Sequence, residues 1–118
     1  INHIQKAAQF IDKIGDVVLA RRDGAAAYHL AVVVDDAAQD ITHVVRGADL
    51  LSATPIHALL QHLLGYPKPF YHHHRLIRDS HGKRLAKRDD AKAIAKFRSE
   101  GAGPDDIRAM VGLPPRSG

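Results

Sequence analysis

Apolar residues in the first half of this chain form short continuous runs. Three runs, at residues 16–22, 30–34 and 41–45, are rich in valine, leucine or isoleucine and predict β-strands. The run at 30–34 has no polar alternation, which is typical of a strand covered on both faces, as in a parallel sheet. Asp23 and Gly24 predict a tight turn after the first strand. The first half of the chain therefore predicts several strands of one sheet.

After residue 54 the apolar spacing changes to that of an α-helix. Five side chains fall at positions i, i+3, i+4, i+7 and i+8 and share one helical stripe: Ile56, Leu59, Leu60, Leu63 and Leu64. Thr54 is the expected N-cap, Pro55 suits the first helical position, and Gly65 is the expected terminator. We predict a helix over residues 55–64 that packs on the sheet through this leucine stripe.

A fourth segment, residues 70–79, predicts another strand, and Ser80-His81-Gly82 predicts the turn that ends it. Four of the six residues after Gly82 are lysine or arginine. A loop with this many cations can close over a phosphate chain and neutralise the charge that develops on its oxygens. The alternative is a solvated basic turn without a ligand.

Two helices are predicted after the basic loop. Asp89 or Asp90 can cap a helix that runs to about Glu100. A shorter helix starts at Pro104 and is expected to bury three apolar side chains, Ile107, Met110 and Val111. Strands that alternate with helices predict an α/β fold.

Positive charge is concentrated in one part of the chain. The formal net charge is +4 with a pI near 9.6, and residues 83–98 hold seven basic and two acidic side chains, a local +5. This basic patch favours an anionic partner, either ATP or an RNA backbone.

The 118 residues fit one small domain, contain no cysteine for a disulfide, and have no apolar segment of membrane-spanning length. We expect a cytoplasmic protein with no membrane partner.

Three motifs, in one order and spacing, carry a resemblance to a known family. Residues 22–36 read Arg-Asp-Gly-Ala-Ala-Ala-Tyr-His-Leu-Ala-Val-Val-Val-Asp-Asp, residues 41–56 include Arg-Gly-Ala-Asp-Leu and Thr-Pro, and the basic loop follows. Over about residues 15–113 the chain resembles the class I glutamyl-tRNA synthetases. It is most similar to their shortened branch, the glutamyl-Q tRNA(Asp) synthetases, which lack an anticodon-binding domain and attach glutamate to the modified base queuosine.

The resemblance implies the second half of a Rossmann-type catalytic domain. Residues 15–80 would form the sheet and helix part, residues 81–90 a KMSKS-type loop, and residues 91–118 the C-terminal helices. In the family, a HIGH-type motif that binds ATP, and often a zinc-binding cysteine cluster, come earlier in the catalytic domain. Neither occurs here, so we expect them before Ile1 and expect this partial domain to be inactive by itself.

Tyr28 and Arg46 are the candidate glutamate-binding residues. A guanidinium can hold a carboxylate with two parallel hydrogen bonds, and a tyrosine hydroxyl can orient a small polar substrate. The resemblance implies that these two positions match the tyrosine and arginine that hold glutamate in the family. Without the resemblance, the sequence pattern alone predicts that Tyr28 is a half-buried aromatic residue of a strand and that Arg46 is a surface cation.

The basic loop supplies the candidate ATP site. By resemblance, the KMSKS-type signature is written here Arg84-Leu85-Ala86-Lys87-Arg88. Lys87 matches its second lysine and is the expected catalytic residue, which would stabilise pyrophosphate as it leaves the α-phosphate of ATP. Ala86 replaces the usual serine and removes one hydroxyl donor, whereas Arg84 keeps the first cation.

Three further groups could carry chemistry. In His72-His73-His74, alternation along a strand lets at most two imidazoles face one ion, whereas zinc usually takes three or four protein ligands, so we assign no metal site. Asp35-Asp36 suits the end of a strand and the cap of the next turn better than a magnesium or acid/base pair. Asp49 is a candidate to orient Arg46 or to contact a ribose hydroxyl.

The reaction implied by the resemblance is ATP-dependent activation of glutamate, with Mg²⁺ accompanying ATP, followed by transfer to tRNA. The expected partners are ATP, L-glutamate and tRNA(Asp) with queuosine. Two alternatives stay open, namely a piece of a conventional glutamyl-tRNA synthetase that charges tRNA(Glu), and a non-catalytic RNA-binding module that uses only the basic patch.

Overall fold

A computed structural model describes residues 7–83, 85 and 93–116. The regular elements of this part are α1 (Ala7–Lys13), α2 (Tyr28–Ala38), β1 (His43–Gly47), α3 (Thr54–Leu64), β2 (Phe70–His74), α4 (Ile94–Ser99) and α5 (Pro104–Met110). The chain divides into two compact units, Ile1–Arg75 and Leu76–Gly118. No helix among the described residues is both long and apolar enough to cross a lipid bilayer.

The sheet of the first unit consists of β1 and β2. The two strands are parallel, and their register runs from His43 opposite Phe70 to Gly47 opposite His74. The connection between them contains a 3₁₀ helix, Ala48–Ala53, and α3. The strand predicted at 41–45 is therefore confirmed with a shift of two residues, and the strand predicted at 70–79 is confirmed only over residues 70–74.

The prediction of a strand at residues 30–34 was wrong, because this segment lies inside α2. A short apolar run fits a buried helix as well as a buried strand. Val33 is 2% exposed, and α2 packs against α3, so the run still supplies the core. Asp35 and Asp36 consequently lie within the helix, and they neither end a strand nor cap a turn.

The strand predicted at residues 16–22 was also wrong. Only Ala20 forms a β-bridge, antiparallel to Ala26, and the other residues of this stretch are irregular. The turn predicted at Asp23 and Gly24 is confirmed, since Gly24 has a φ of 89° and the Asp23 carboxylate accepts a hydrogen bond from the Ala25 N–H at 3.0 Å.

The helix predicted at 55–64 is confirmed as α3, but its start differs from the prediction. Thr54 is the first helical residue and not the N-cap, because the 3₁₀ helix runs directly into α3. Gly65 ends the helix with a φ of 72°, a left-handed conformation that glycine adopts without strain. The Tyr66 N–H then donates to the Gln61 carbonyl at 2.9 Å, which satisfies a carbonyl of the last turn.

The prediction that α3 packs through its leucine stripe was largely wrong. Leu60 is 8% exposed, but Leu59, Leu63 and Leu64 are 39%, 69% and 44% exposed. The buried side chains of α3 are Thr54, His57, Ala58, Leu60 and Gln61. Most of the buried face is therefore polar, which is tolerated where polar groups find hydrogen-bond partners.

The second unit contains the turn predicted at residues 80–82. The Asp79 carboxylate accepts hydrogen bonds from the His81 and Lys83 N–H groups, both at 2.9 Å, and Gly82 has a φ of 76°. The turn is therefore held by one aspartate. Asp79 also donates its own N–H to the Lys83 carbonyl at 2.7 Å.

Both predicted C-terminal helices are present among the described residues. The prediction that Asp89 or Asp90 caps α4 was wrong, because α4 starts at Ile94 with Ala93 in extended conformation as its N-cap; both aspartates lie outside the described residues. The Asp106 carboxylate caps α5 by accepting the Gly103 N–H at 2.8 Å. The prediction that Met110 is buried was wrong, since it is 56% exposed, whereas two other predicted residues, Ile107 and Val111, are half-buried.

Candidate functional site

The site forms around Arg46, the fourth residue of β1. In open α/β sheets, ligands bind outside the carboxyl ends of the parallel strands. The β1–β2 register places Arg46 directly opposite His73 near that end. The first turn of α3 follows β1 through the 3₁₀ helix and brings Thr54 and His57 to the same place. Arg46 therefore lies where a ligand of this sheet is expected.

Each nitrogen of the Arg46 guanidinium donates to a neutral side chain. Nε donates to His73 Nε2 at 3.0 Å, Nη1 to His57 Nδ1 at 3.0 Å, and Nη2 to Thr54 Oγ1 at 2.7 Å. The Thr54 hydroxyl also lies 3.1 Å from His73 Nε2. The Tyr71 ring covers one face of the guanidinium, with its centroid 4.9 Å from Cζ. Four side chains thus fix the orientation of the arginine.

These contacts leave part of the guanidinium available. It has five N–H donors, of which three are used within the described part of the chain, so one donor remains on Nη1 and one on Nη2. No carboxylate of the described residues forms an ion pair with Arg46. A half-buried cation held by neutral groups, with a donor left on each terminal nitrogen, has the chemistry to bind an anion such as a carboxylate.

The tautomer of His57 follows from its contacts. Because Arg46 Nη1 can only donate, His57 Nδ1 must accept, and the imidazole proton then belongs on Nε2. From Nε2, His57 donates to His29 Nδ1 at 2.9 Å. Burial, the Arg46 charge and His29 lower the pKa of His57 to about 4, so His57 is neutral at neutral pH.

His73 is a neutral acceptor for the same reasons. Burial and then the Arg46 charge lower the pKa of His73 below its ordinary value. The alternation predicted for the histidine run is confirmed, since Tyr71 and His73 face inward while His72 and His74 are exposed. Among the described residues, no three His, Cys, Asp or Glu side chains are arranged to hold a metal ion.

Tyr28 and Arg46, the two predicted glutamate-binding residues, contact the same histidine. Tyr28 is the first residue of α2 and is 52% exposed. Its ring lies edge-on to the His57 ring, with the centroids 5.9 Å apart, while Arg46 donates to the other side of that imidazole. The structure therefore brings both residues into one polar cluster, with the Tyr28 ring half-exposed beside it.

The predicted ATP site falls almost entirely outside the described residues. Arg84, Ala86, Lys87 and Arg88 are not described, and Leu85 is 46% exposed, with its N–H 3.4 Å from the Ile77 carbonyl. Lys87 therefore stays a prediction from the motif. Asp49, the residue predicted to orient Arg46, lies in the 3₁₀ helix and is exposed.

Sequence reasoning missed most partners of Arg46. The missed partners are Thr54, His57, Tyr71 and His73, together with His29, which contacts His57 and not Arg46. The sequence supported only the general expectation that an imidazole of the histidine run could form a hydrogen bond. A signal existed in α3, where Thr54, His57 and Gln61 fall at i, i+3 and i+7 and form a polar stripe. The pairing of Arg46 with His73 needed the strand register, which the sequence alone does not provide.

Similarity to known proteins shows to which protein family the chain belongs. The model of the family "tRNA synthetases class I (E and Q), catalytic domain" matches residues 3–113. The chain belongs to this family, and the predicted α/β fold of a class I synthetase catalytic domain is confirmed.

Two curated proteins that are similar in sequence belong to the glutamyl-Q tRNA(Asp) synthetase branch of this family. The glutamyl-Q tRNA(Asp) synthetase of Rhodobacter capsulatus is 60% identical over 111 residues, which cover 94% of this chain and 40% of that protein. The protein of the same name from Nocardia farcinica is 51% identical over 107 residues, 87% of this chain and 34% of that protein. The resemblance drawn from the motifs is confirmed, and the chain spans two fifths or less of these curated relatives.

A solved structure gives the same family. The glutamate tRNA ligase of Elizabethkingia meningosepticum, crystallised in complex with its amino acid, has a TM-score of 0.70 and 31% identity. The match covers 86% of this chain and 24% of that one. The fold of this chain therefore corresponds to one part of a longer tRNA ligase.

Proposed function

We propose that this chain forms the glutamate-binding part of an ATP-dependent, glutamate-activating tRNA ligase of the glutamyl-Q tRNA(Asp) type. One observation carries the proposal. Arg46 is oriented by neutral groups and keeps a donor on each terminal nitrogen, beside the half-exposed Tyr28, in a chain 60% identical to such an enzyme. This arrangement suits a carboxylate ligand.

The chemistry assigns the two carboxylates of glutamate different roles. In activation, an α-carboxylate oxygen attacks the α-phosphate of ATP, the bond to the β-phosphate breaks, and glutamyl-adenylate and pyrophosphate form. A carboxylate held in two hydrogen bonds by an arginine is engaged and cannot easily attack. We therefore assign Arg46 and Tyr28 to the side-chain carboxylate, which leaves the α-carboxylate free to react.

The ATP phosphates belong to the basic loop in this proposal. We assign Arg84, Leu85, Ala86, Lys87 and Arg88 to ATP, with Lys87 stabilising the leaving pyrophosphate. Mg²⁺ enters with ATP as part of the substrate.

We further propose that any zinc of the protein is held outside these 118 residues, which contain no cysteine. We also propose that the protein works in the cytoplasm, where its tRNA substrate is.

A chimaera tests this function. This chain replaces the matching 111 residues of the Rhodobacter capsulatus relative, and glutamate-dependent exchange between ATP and pyrophosphate is measured. We expect exchange that requires glutamate, followed by transfer to tRNA(Asp) carrying queuosine. A folded chimaera that binds RNA but shows no exchange would support the RNA-binding module instead.

A conventional glutamyl-tRNA synthetase is the second candidate, because two solved structures that match at 31% identity are a glutamate tRNA ligase and a glutamate-tRNA synthetase. The two candidates share the activation step and differ in the acceptor. Transfer to the 3′ end of tRNA(Glu), with none to tRNA(Asp), by the protein that carries this chain would favour the conventional enzyme.

A further inference from the structure

His57 connects the two residues assigned to glutamate. It is 1% exposed in α3, and each ring nitrogen has a defined partner. Nδ1 accepts from Arg46 Nη1 at 3.0 Å, and Nε2 lies 2.9 Å from His29 Nδ1. No step of the proposed activation uses this histidine, so its buried and fully bonded imidazole calls for another explanation.

The other contacts of Arg46 hold only one edge of its guanidinium. Thr54 and His73 bond Nη2 and Nε and are themselves 3.1 Å apart, so they form one joined acceptor. His57 is the acceptor on the remaining nitrogen, Nη1. Without it, the planar guanidinium would be held only by its Nε–Nη2 edge and by the Tyr71 ring on one face, and Nη1 would lose its acceptor within the site.

We propose that His57 is a positioning residue for glutamate recognition, which orients the Arg46 guanidinium so that the remaining Nη1 and Nη2 donors face the substrate carboxylate. This inference rests on the proposed function. It concerns one atom of the histidine, the Nδ1 acceptor. The hydrogen bond from Nε2 to His29 follows from the tautomer that Arg46 requires, and it contributes less to glutamate binding.

Two amide substitutions at His57 test the hydrogen bonds of its two ring nitrogens separately. The side-chain oxygen of asparagine can take the place of Nδ1, whereas the longer glutamine places its amide near Nε2. His57→Asn therefore keeps an acceptor for Arg46, and His57→Gln keeps a partner for His29. Both are buried amides of similar polarity, so each is a matched control for the other.

The test measures the KM for glutamate and for ATP in the chimaera by pyrophosphate exchange. With His57→Gln we expect the KM for glutamate to rise about 10–100-fold, the equivalent of a hydrogen bond to a charged group, while the KM for ATP changes little. With His57→Asn we expect the KM for glutamate to stay within about threefold of the parent chimaera. Melting temperatures show whether the two variants are equally folded.

Several outcomes would overturn the inference. If glutamine preserves the KM for glutamate and asparagine does not, the contact with His29 is the important one. If both variants raise the KM for glutamate and ATP together, His57 only supports the fold. If the parent chimaera itself fails to activate glutamate, the proposed function fails and the role in glutamate recognition falls with it, whereas the orientation of Arg46 by His57 is tested by the measurement that follows.

A second measurement does not depend on activity. Nitrogen chemical shifts of the imidazole in the chimaera report the tautomer of His57. We expect Nδ1 without a proton and Nε2 with one, as the contact with Arg46 requires. A protonated Nδ1 would contradict the proposed orientation of the guanidinium even if the variants did not fold.

Discussion

The polar residues of α3 are more deeply buried than most leucines of its apolar stripe. Thr54, His57 and Gln61 are 0%, 1% and 3% exposed, while Leu59 and Leu63 are 39% and 69% exposed. Within this buried polar face, Thr54 and His57 accept hydrogen bonds from Arg46, and Gln61 Nε2 donates to the Tyr71 hydroxyl at 2.7 Å. Gln61 Oε1 is buried with no hydrogen-bond partner among the described residues. In this helix, polar side chains that find hydrogen-bond partners across the site are buried beside Ala58 and Leu60, while two leucines of the predicted stripe are exposed.

The largest expected effect comes from a pair of identical substitutions on this helix. In the 118-residue chain, Leu60→Ala should lower the free energy of unfolding by about 2–5 kcal/mol, because Leu60 is 8% exposed. Leu63→Ala should change it by less than about 0.5 kcal/mol, because that side chain is largely exposed. Urea unfolding measures both, and equal losses would show that the leucine stripe is buried after all.

The polar face gives the next largest effect. Thr54→Val keeps the shape of the side chain but leaves Arg46 Nη2 and His73 Nε2 without the hydroxyl. We expect a loss of about 1–3 kcal/mol in the free energy of unfolding, the usual cost when a buried polar group such as Arg46 Nη2 loses its hydrogen-bond partner, although His73 Nε2 keeps its bond from Arg46 Nε. Thr54→Ser keeps the hydroxyl and should be milder. A valine variant more stable than the serine variant would contradict the importance of the hydrogen bonds.

How far the sequence predicts this molecule depends on the kind of interaction. Local signals place α3, its end at Gly65, the turn before Gly82 and the start of α5. The segment at residues 30–34 was misassigned because a short apolar run suits either a helix or a strand. Packing of α2 on α3 decides the outcome, and that contact is not local.

The candidate site also divides into features that the sequence predicts and features that depend on non-local contacts. Matching motifs select Tyr28 and Arg46, but their role stays a prediction. His57 and His73 could not be assigned to Arg46 from the sequence, because the contacts depend on the rotation of α3 and on the register of β1 with β2.

The smallest expected effect is a pH dependence of stability. His57 has a pKa of about 4 in the folded chain, against an ordinary value of 6.5, so the unfolded chain binds more protons between these values. Its contribution to stability is complete above about pH 6.5 and is lost progressively as the pH falls toward 4. His73, whose pKa is also lowered, acts in the same direction.

A comparison with His57→Gln isolates this effect, since glutamine does not titrate. Urea unfolding between pH 7 and 4.5 should show a steeper loss of stability for the parent chain than for the variant. Burial raises the pKa of Asp36 above 3.8, which opposes the trend at the acid end but is common to both proteins. Parallel curves would mean that His57 does not stay neutral in the folded chain.

The central claim, that Arg46 holds a carboxylate of glutamate, is tested most directly by Arg46→Lys in the chimaera. Lysine keeps the charge but cannot form the paired hydrogen bonds. The account predicts that the KM for glutamate rises about 10–100-fold while the KM for ATP stays within about threefold. Arg116→Lys, an exposed residue outside the part of the chain that matches the family model, is the matched control and should change neither. An equal rise for both substrates, or no rise for glutamate, would contradict the claim.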